Sequence, residues 1–265
     1  MNHIERSISL IKNLETSEIY NLGFSGGKDS VVLLDLAKRA GVKFNAIYAN
    51  TTIDPKGTIS FIKNNYPEVK ILHPPKSFYQ LIEEKGLPSR QRRWCCEVLK
   101  ERYGIGKRSL EGMRKAESKN RESYDPEQCD SRKSMKGAIH VLPLLNWTDN
   151  QIWDYIHENN LPYSKYYDNP YNLNRHGCIG CPLCNKKVMR YEFQLFPPRA
   201  LALIRSLKKH MLLKPNNYIA RNFSDEYEAF YFYVVEISMN DFKELKNSMF
   251  EPNFKEFINE YLSIK

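Results

Sequence analysis

The chain has 265 residues, enough for one sizeable domain with an appendage or for two small ones. Its hydrophobic fraction of 42% is that of an ordinary globular protein, and no apolar run approaches the ~20 residues needed to span a bilayer. The net charge of +9 favours anionic partners, and the start, Met1-Asn2-His3-Ile4-Glu5-Arg6, shows no signal-peptide pattern, so a cytoplasmic protein is expected.

In chain order, residues 1 to 17 predict a polar helix covering the core. Residues 18 to 24 read as a buried strand, and 29 to 40 as the helix after it, stopped by Gly41. Lys43 to Ala49 reads as a second strand, ending in the polar loop Asn50-Thr51-Thr52-Ile53-Asp54-Pro55. A helix from about Pro55 to Asn65, a strand Val69 to Leu72 and a helix Phe78 to Lys85 follow. The stretch 104 to 137 is rich in charge and poor in periodicity. Within it Ser109 to Arg114 suggests a strand and turn, and 115 to 136 a mobile flap. Ile139 to Leu144 restores the strand pattern, and Thr148 is the expected N-cap of a helix to about Asn159. Residues 160 to 185 are loop-like. Residues 187 to 265 have helical periodicity and many aromatics, read as core rather than as a base-stacking platform. No internal repeat is evident. Strands alternating with helices predict an α/β fold, a Rossmann-like and mainly parallel sheet flanked by helices, with a helical C-terminal appendage. The expected division is 1–186 and 187–265.

The segment Phe24-Ser25-Gly26-Gly27-Lys28-Asp29-Ser30 joins the first strand to its helix. Glycines let the backbone approach a phosphate, and the free N–H groups at the helix N-terminus face the anion. Ser25 and Ser30 add hydroxyls, Lys28 adds a mobile charge, and Asp29 can position Mg²⁺ or cap the helix. The spacing is neither that of a Walker loop nor that of a dinucleotide fingerprint. Asn50, Thr51 and Thr52 are expected at the same carboxyl edge of the sheet, where ligands of such sheets bind. From Lys85 to Lys136 fifteen Lys and Arg face eight Asp and Glu, a basic excess that would draw an anionic substrate or nucleic acid.

There are six cysteines. Cys95 and Cys96 are adjacent, and Cys178, Cys181 and Cys184 form Cys-x-x-Cys-x-x-Cys; Cys129 stands apart. Two thiol groups with this spacing suit a metal: a [4Fe–4S] cluster, or Zn²⁺, with free or redox-active thiols as the remaining reading.

Ser25-Gly26-Gly27-Lys28-Asp29-Ser30 resembles the PP-loop of the ATP pyrophosphatases. Further segments match in order: Asn50 to Pro55, Arg93-Trp94-Cys95-Cys96, Gly112-Met113-Arg114-Lys115-Ala116-Glu117-Ser118, Pro143 to Thr148, Leu161-Pro162-Tyr163 and Gly177 to Cys181. Over residues 18 to 185 the chain resembles the phosphoadenosine phosphosulfate reductase family. That resemblance implies an adenine nucleotide alpha-hydrolase-like fold binding ATP or an adenylyl-sulfate nucleotide through Ser25, Gly26, Gly27, Lys28, Asp29, Ser30, Asn50, Thr51, Thr52, Gly112 and Arg114. It implies a [4Fe–4S] cluster on Cys95, Cys96, Cys178 and Cys181, with Cys184 an extra thiol able to replace one of them. Lys28, Asp29, Arg114 and Cys184 are the expected catalytic residues, Arg114 stabilising charge on the leaving phosphate.

Reductases of the family carry a tail cysteine that attacks sulfur and releases sulfite, and this chain has no cysteine after Cys184. The expected reaction is therefore ATP-dependent adenylation and sulfur transfer to a nucleic acid or small acceptor. A cysteine desulfurase or thioredoxin-type protein is the expected sulfur or electron donor. The alternatives are a phosphoadenylyl-sulfate or adenylyl-sulfate reductase and a sulfate adenylyltransferase-like subunit.

Overall fold

Six strands, β1 (Tyr20–Gly23), β2 (Phe44–Ala49), β3 (Lys70–Leu72), β4 (Arg108–Leu110), β5 (Glu127–Cys129) and β6 (Ile139–Val141), form one sheet. Their order is β3-β2-β1-β4-β6-β5. Every neighbouring pair is parallel except β5 with β6. The computed structural model describes residues 2–248 and 252–263. The chain runs outward from β1 through β2 to β3, then returns to lay β4 on the other side of β1. The crevice at the carboxyl end of β1 is thus a topological switch point, where open α/β sheets bind ligands.

Helices α1 (His3–Asn13), α2 (Lys28–Ala40) and α3 (Thr58–Asn65) follow the predicted pattern. Helix α1 opens on a capping box between Asn2 and Glu5. Helix α2 buries Val31, Val32, Leu33, Leu34, Leu36 and Ala37 together with Tyr20 and Leu22 of β1. It ends at Gly41, whose φ of 71° is the left-handed closure that only glycine adopts without strain. Helix α3 starts three residues later than its proline suggested. Gly57, at φ 89°, sets the entry to Thr58, and Pro55 lies in the preceding loop.

Residues 115–136 were expected as a mobile flap. They contain short 3₁₀ turns and β5, which pairs antiparallel with β6. A three-residue strand is too short for a period-2 signal; what holds it is His140, whose Nδ1 meets Glu111 at 2.7 Å and Nε2 meets Asp130 at 3.1 Å. The Glu111 hydrogen bond, against burial, raises the imidazole to about 9.

The chain divides into two compact units. One comprises 1–50, 56–74 and 96–177, with the sheet and α1–α3. The other gathers 51–55, 75–95 and 178–265, three separated stretches, whereas the sequence suggested one boundary near 186. Helix α4 (Phe78–Lys85) belongs to the second unit, α5 (Trp94–Leu99) begins in it, and α6 (Asp149–Glu158), capped by Thr148, belongs to the first. The second unit continues with α7 (Lys186–Leu195), α8 (Pro197–Leu213), α9 (Tyr218–Asn222), α10 (Glu226–Val234), α11 (Met239–Lys246) and α12 (Phe254–Ser263). Of the tail expected to be helical, residues 249–251, 264 and 265 lie outside the described residues. In this unit α8 packs on α4 and α10, and Phe230, Phe242 and Phe254 are buried as core, while Tyr191, Tyr218 and Phe257 are exposed. Among the described residues no helix is long and apolar enough to cross a membrane.

Candidate nucleotide and thiol sites

In the sheet unit, β1 hands the chain to α2 through Phe24–Gly27. Gly26 takes φ 78°. Gly27 is the N-cap, with ordinary extended angles and no side-chain cap hydrogen bond. Asp29 therefore does not cap the helix. The Ser25 N–H donates to Ser30 Oγ at 3.2 Å, the Gly27 N–H to Ser25 Oγ at 3.3 Å, and Ser30 Oγ to the Gly27 carbonyl at 2.8 Å. These bonds fix the loop from within, while the helix N-terminus keeps its positive dipole end.

Three residues complete this loop that no motif announces: Tyr167, His176 and Asp149. The Tyr167 hydroxyl accepts from the Lys28 N–H at 3.0 Å and from the His176 N–H at 3.1 Å. Burial holds the Tyr167 hydroxyl above the usual phenol range. The His176 ring lies between Thr58 Oγ1 at 3.0 Å and Ser164 Oγ at 2.9 Å.

Lys28 is 6% exposed, and its ammonium sits 3.3 Å from Asp149 Oδ1 and 3.3 Å from the Asn174 carbonyl. Arg114 is 1% exposed, and its guanidinium donates to Asp29 Oδ1, to the Trp147 carbonyl at 3.3 Å and to Asp149 Oδ1 at 2.8 Å. Two cations and two carboxylates thus interlock beside the loop. Burial raises Asp29, opposed by Lys28 and Arg114. Burial also pushes Asp149 up, but Arg114 and then Lys28 outweigh it and leave that carboxyl lowered. Gly112 passes against the first turn of α2, where a Cβ would lie 3.2 Å from the Asp29 backbone. The structure thus brings together Ser25 to Ser30, Gly112 and Arg114. Asn50 lies at the end of β2, its amide 3.1 Å from His73 Nδ1.

Thr51 and Thr52 fall in the other unit. Thr52 takes φ 65°, a strained conformation for a β-branched residue. Its Oγ1 accepts from the Phe78 N–H at 2.8 Å, and its carbonyl from Arg199 at 2.9 Å. Cys178 Sγ lies 3.5 Å from Thr51 Oγ1. The turn Cys178 to Cys184 is tied down at several points. The Gly180 N–H donates to Glu192 at 2.8 Å, the Gly180 carbonyl accepts from Tyr233 at 2.9 Å, and Arg90 reaches the Cys184 carbonyl at 3.4 Å. A Cβ on Gly180, at φ 69°, would fall 2.2 Å from the Phe193 ring. Burial holds the Tyr233 hydroxyl well above the phenol range, and the nearby Cys181, Cys95, Cys184 and Cys178 add to this. Four thiols thus act electrostatically on one buried hydroxyl. Cys96 follows Cys95 on α5, where consecutive side chains point about 100° apart. The Trp94 indole N–H is buried with no hydrogen-bond partner among the described residues. Cys129 is exposed on β5. Among the described residues no group of three or more His, Cys, Asp or Glu side chains is arranged to hold a metal ion. The donors fit an iron–sulfur cluster or zinc in kind, being soft thiols, without forming a closed cage.

A strand, a glycine turn and a helix N-terminus at the switch point of a parallel sheet define a nucleotide-binding α/β protein of the adenine nucleotide alpha-hydrolase-like class. A family model for the phosphoadenosine phosphosulfate reductase domain matches residues 19–184. The chain belongs to that family. An uncharacterized protein, MJ0973, of Methanocaldococcus jannaschii is 31% identical over 211 residues, covering 73% of this chain and 50% of that protein. The chain thus spans about half of that relative's length. The adenosine 5'-phosphosulfate reductase of Oceanobacillus iheyensis is 30% identical over 185 residues, covering 65% of this chain and 73% of that enzyme. Among solved structures, the phosphoadenylyl-sulfate reductase from Candida auris, a phosphate complex, aligns with a TM-score of 0.50 at 18% identity, over 65% of this chain and 87% of that one. That likeness speaks for the fold.

Proposed function

We propose that the chain binds ATP or an adenylyl-sulfate nucleotide at Ser25–Ser30 and couples cleavage beside the α-phosphate to sulfur transfer. The observation that carries the reading is the glycine turn at the N-terminus of α2, where the N-cap Gly27 brings no side chain of its own, with the buried Lys28 ammonium beside it. An acceptor oxygen attacks the α-phosphorus of ATP, pyrophosphate leaves, and a sulfur nucleophile then displaces AMP from the adenylated acceptor. Lys28 and the loop amides carry the charge of the leaving pyrophosphate. Asp29 faces Mg²⁺. Arg114, with its donors engaged by Asp29, Trp147 and Asp149, acts as the positioning residue for both carboxylates. Cys184 is the candidate sulfur carrier, loaded as a persulfide by an external donor protein; the disulfide formed when its outer sulfur displaces AMP is reduced by a thioredoxin-type dithiol, which frees the thiolated acceptor and the Cys184 thiol. Cys95, Cys96, Cys178 and Cys181 are the candidate ligands of a cluster, with Cys184 able to replace one. Such a cluster, when bound, supplies electron transfer or labile sulfide.

A second reading, reduction of an adenylyl-sulfate nucleotide to sulfite and the nucleoside phosphate, is favoured by the 30% identity with adenosine 5'-phosphosulfate reductase. Product analysis separates the two. AMP and pyrophosphate from ATP, dependent on an acceptor, support sulfur transfer. Sulfite from adenylyl sulfate or phosphoadenylyl sulfate with a dithiol supports reduction. Neither product, with no nucleotide bound, refutes both.

A further inference from the structure

The second unit contains a cavity of about 400 Å³ where α4 and α8 end. Lys85, Arg92, Lys214, His210, Asn217 and Tyr218 are among the residues lining it. Nothing in the nucleotide or thiol chemistry above uses it. We propose that this cavity docks single-stranded nucleic acid, its cations taking the phosphates and Tyr218 stacking on a base.

From Lys186 to Arg221 the chain has nine Lys and Arg against a single acid, Glu192, and of the nine Lys214 lines the cavity, where Lys85 and Arg92 join it. Glu192 is 1% exposed and is engaged by the Gly180 N–H, so it offsets nothing at the surface. One acid, Glu84, also lines the cavity and is paired with Lys76, and Glu83 beside it is paired with Lys209 at 3.0 Å. Lys85, Arg92 and Lys214 form no ion pair with any described acid. Helix dipoles account for part of this, since Lys85 sits in the last turn of α4 and Lys214 is the C-cap of α8, its ammonium on the Glu84 carbonyl at 2.6 Å. They do not account for Arg92, which lies outside any helix.

The wall is closely packed: a Cβ on Gly86, at φ 75°, would lie 2.9 Å from His210 Nε2 and 3.1 Å from Ile219. His210 is 3% exposed, donating from Nδ1 to the Glu83 carbonyl at 2.9 Å and accepting at Nε2 from Asn217 at 2.6 Å. At the rim Tyr218 is 59% exposed, an unusual exposure for a large aromatic. Cations with an exposed ring beside them are the pairing that binds single strands, electrostatics along the backbone and stacking on the bases. Leu212 and Leu213, exposed beside Lys214, give the same rim some apolar surface, so a lipid surface is the competing occupant that the vesicle arm of the test decides.

The test is fluorescence anisotropy with a labelled 12-nucleotide single strand and no ATP, so that its result does not depend on what Ser25–Ser30 binds. The expected binding weakens with salt, with a log–log slope of about −2 if three cations meet phosphates. Arg92→Ala is expected to lower the slope magnitude by about 0.7. Tyr218→Ala, at an exposed position, is expected to weaken binding by roughly 5-fold or more without changing the thermal midpoint. Three results would overturn the proposal: an equal loss in Lys63→Ala, on the sheet unit's α3; AMP binding as tightly as the oligonucleotide with no salt slope; or cosedimentation with phosphatidylglycerol vesicles without oligonucleotide binding.

Discussion

The two glycines of the loop should fail for different physical reasons when replaced by alanine. Gly26 takes φ 78°, while a Cβ there would meet nothing closer than His176 Nε2 at 3.5 Å. The space is ordinary, so the penalty is backbone strain, about 1–2 kcal/mol for a left-handed alanine. In a chain of this size that lowers the thermal midpoint by roughly 2–8 °C. Gly27 has φ −83° and ψ 161°, which any residue adopts. Its Cβ would lie 3.3 Å from Ser25 Oγ and from the Tyr167 hydroxyl, and 3.4 Å from the His176 carbonyl. Reduced freedom of the unfolded chain, worth about 0.4–1 kcal/mol, offsets that crowding, so Gly27→Ala should melt within a few degrees of wild type. It should nonetheless put a methyl group into the phosphate-facing turn, against the Tyr167 hydroxyl that holds the Lys28 amide, and weaken ATP binding at least about 10-fold, or ~1.4 kcal/mol. Gly27→Val, with two further methyls, should abolish binding. Calorimetric titration with ATP and thermal unfolding read the two quantities separately. If Gly27→Ala binds ATP as wild type does, or melts below Gly26→Ala, the reasoning fails.

Lys28→Ala removes the ammonium beside the loop and should weaken ATP binding by about 10- to 100-fold, as loss of a charged hydrogen bond does; unchanged affinity by titration would refute the loop assignment. His140 has a folded-state value of about 9, above the ~6.5 of an unfolded histidine, so its contribution is fully present below about pH 6.5 and lost as pH rises through about 9. Its ceiling is on the order of 3 kcal/mol. Urea unfolding at pH 6, 7.5 and 9 should show falling stability that His140→Gln removes, and equal slopes in both proteins would rule this out. Anaerobically purified protein should carry about four iron and four sulfide per chain, reduced in Cys178→Ser and Cys181→Ser. Stoichiometric zinc in metal analysis would overturn the cluster.

Local features were legible in the sequence because each is decided by a few adjacent residues. The glycine turn between β1 and α2, the Gly41 closure and the Thr148 cap are of this kind. The Cys178–Cys184 turn was legible in the same way. What escaped depends on long-range contact. The Tyr167 hydroxyl reaches the Lys28 amide across 139 positions, and His176 reaches Thr58 across 118. No pattern around Tyr167 marks it, since a tyrosine in a polar loop reads as surface. Strand β5 escaped because its partner strand and the His140 contacts define it, not its own three residues. The basic run from Lys85 to Lys136 was visible, but its members are distributed over both units.

The interlocked charges beside the loop lead to a prediction with opposite signs for stability and binding. Arg114 and Asp149 share one hydrogen bond, yet the arginine side chain is 2% exposed and the aspartate 62%. The arginine depends on its carboxylates, because a buried guanidinium without compensation is strongly unfavourable. Asp149, open to solvent, holds the Lys28 ammonium at 3.3 Å, so a phosphate that takes Lys28 competes with it. Asp149→Asn retains an acceptor oxygen for Arg114 but no charge. The difference between a charged and a neutral hydrogen bond predicts a stability loss of about 1 kcal/mol. The same change releases Lys28 from an ion pair that is exposed on one side, which predicts ATP binding roughly 2- to 5-fold tighter. A less stable protein that binds its nucleotide better would show Asp149 to be the resident anion that the ligand displaces. If Asp149→Asn binds ATP more weakly at fixed Mg²⁺, the carboxylate belongs to the grip on the nucleotide itself and the displacement argument is wrong.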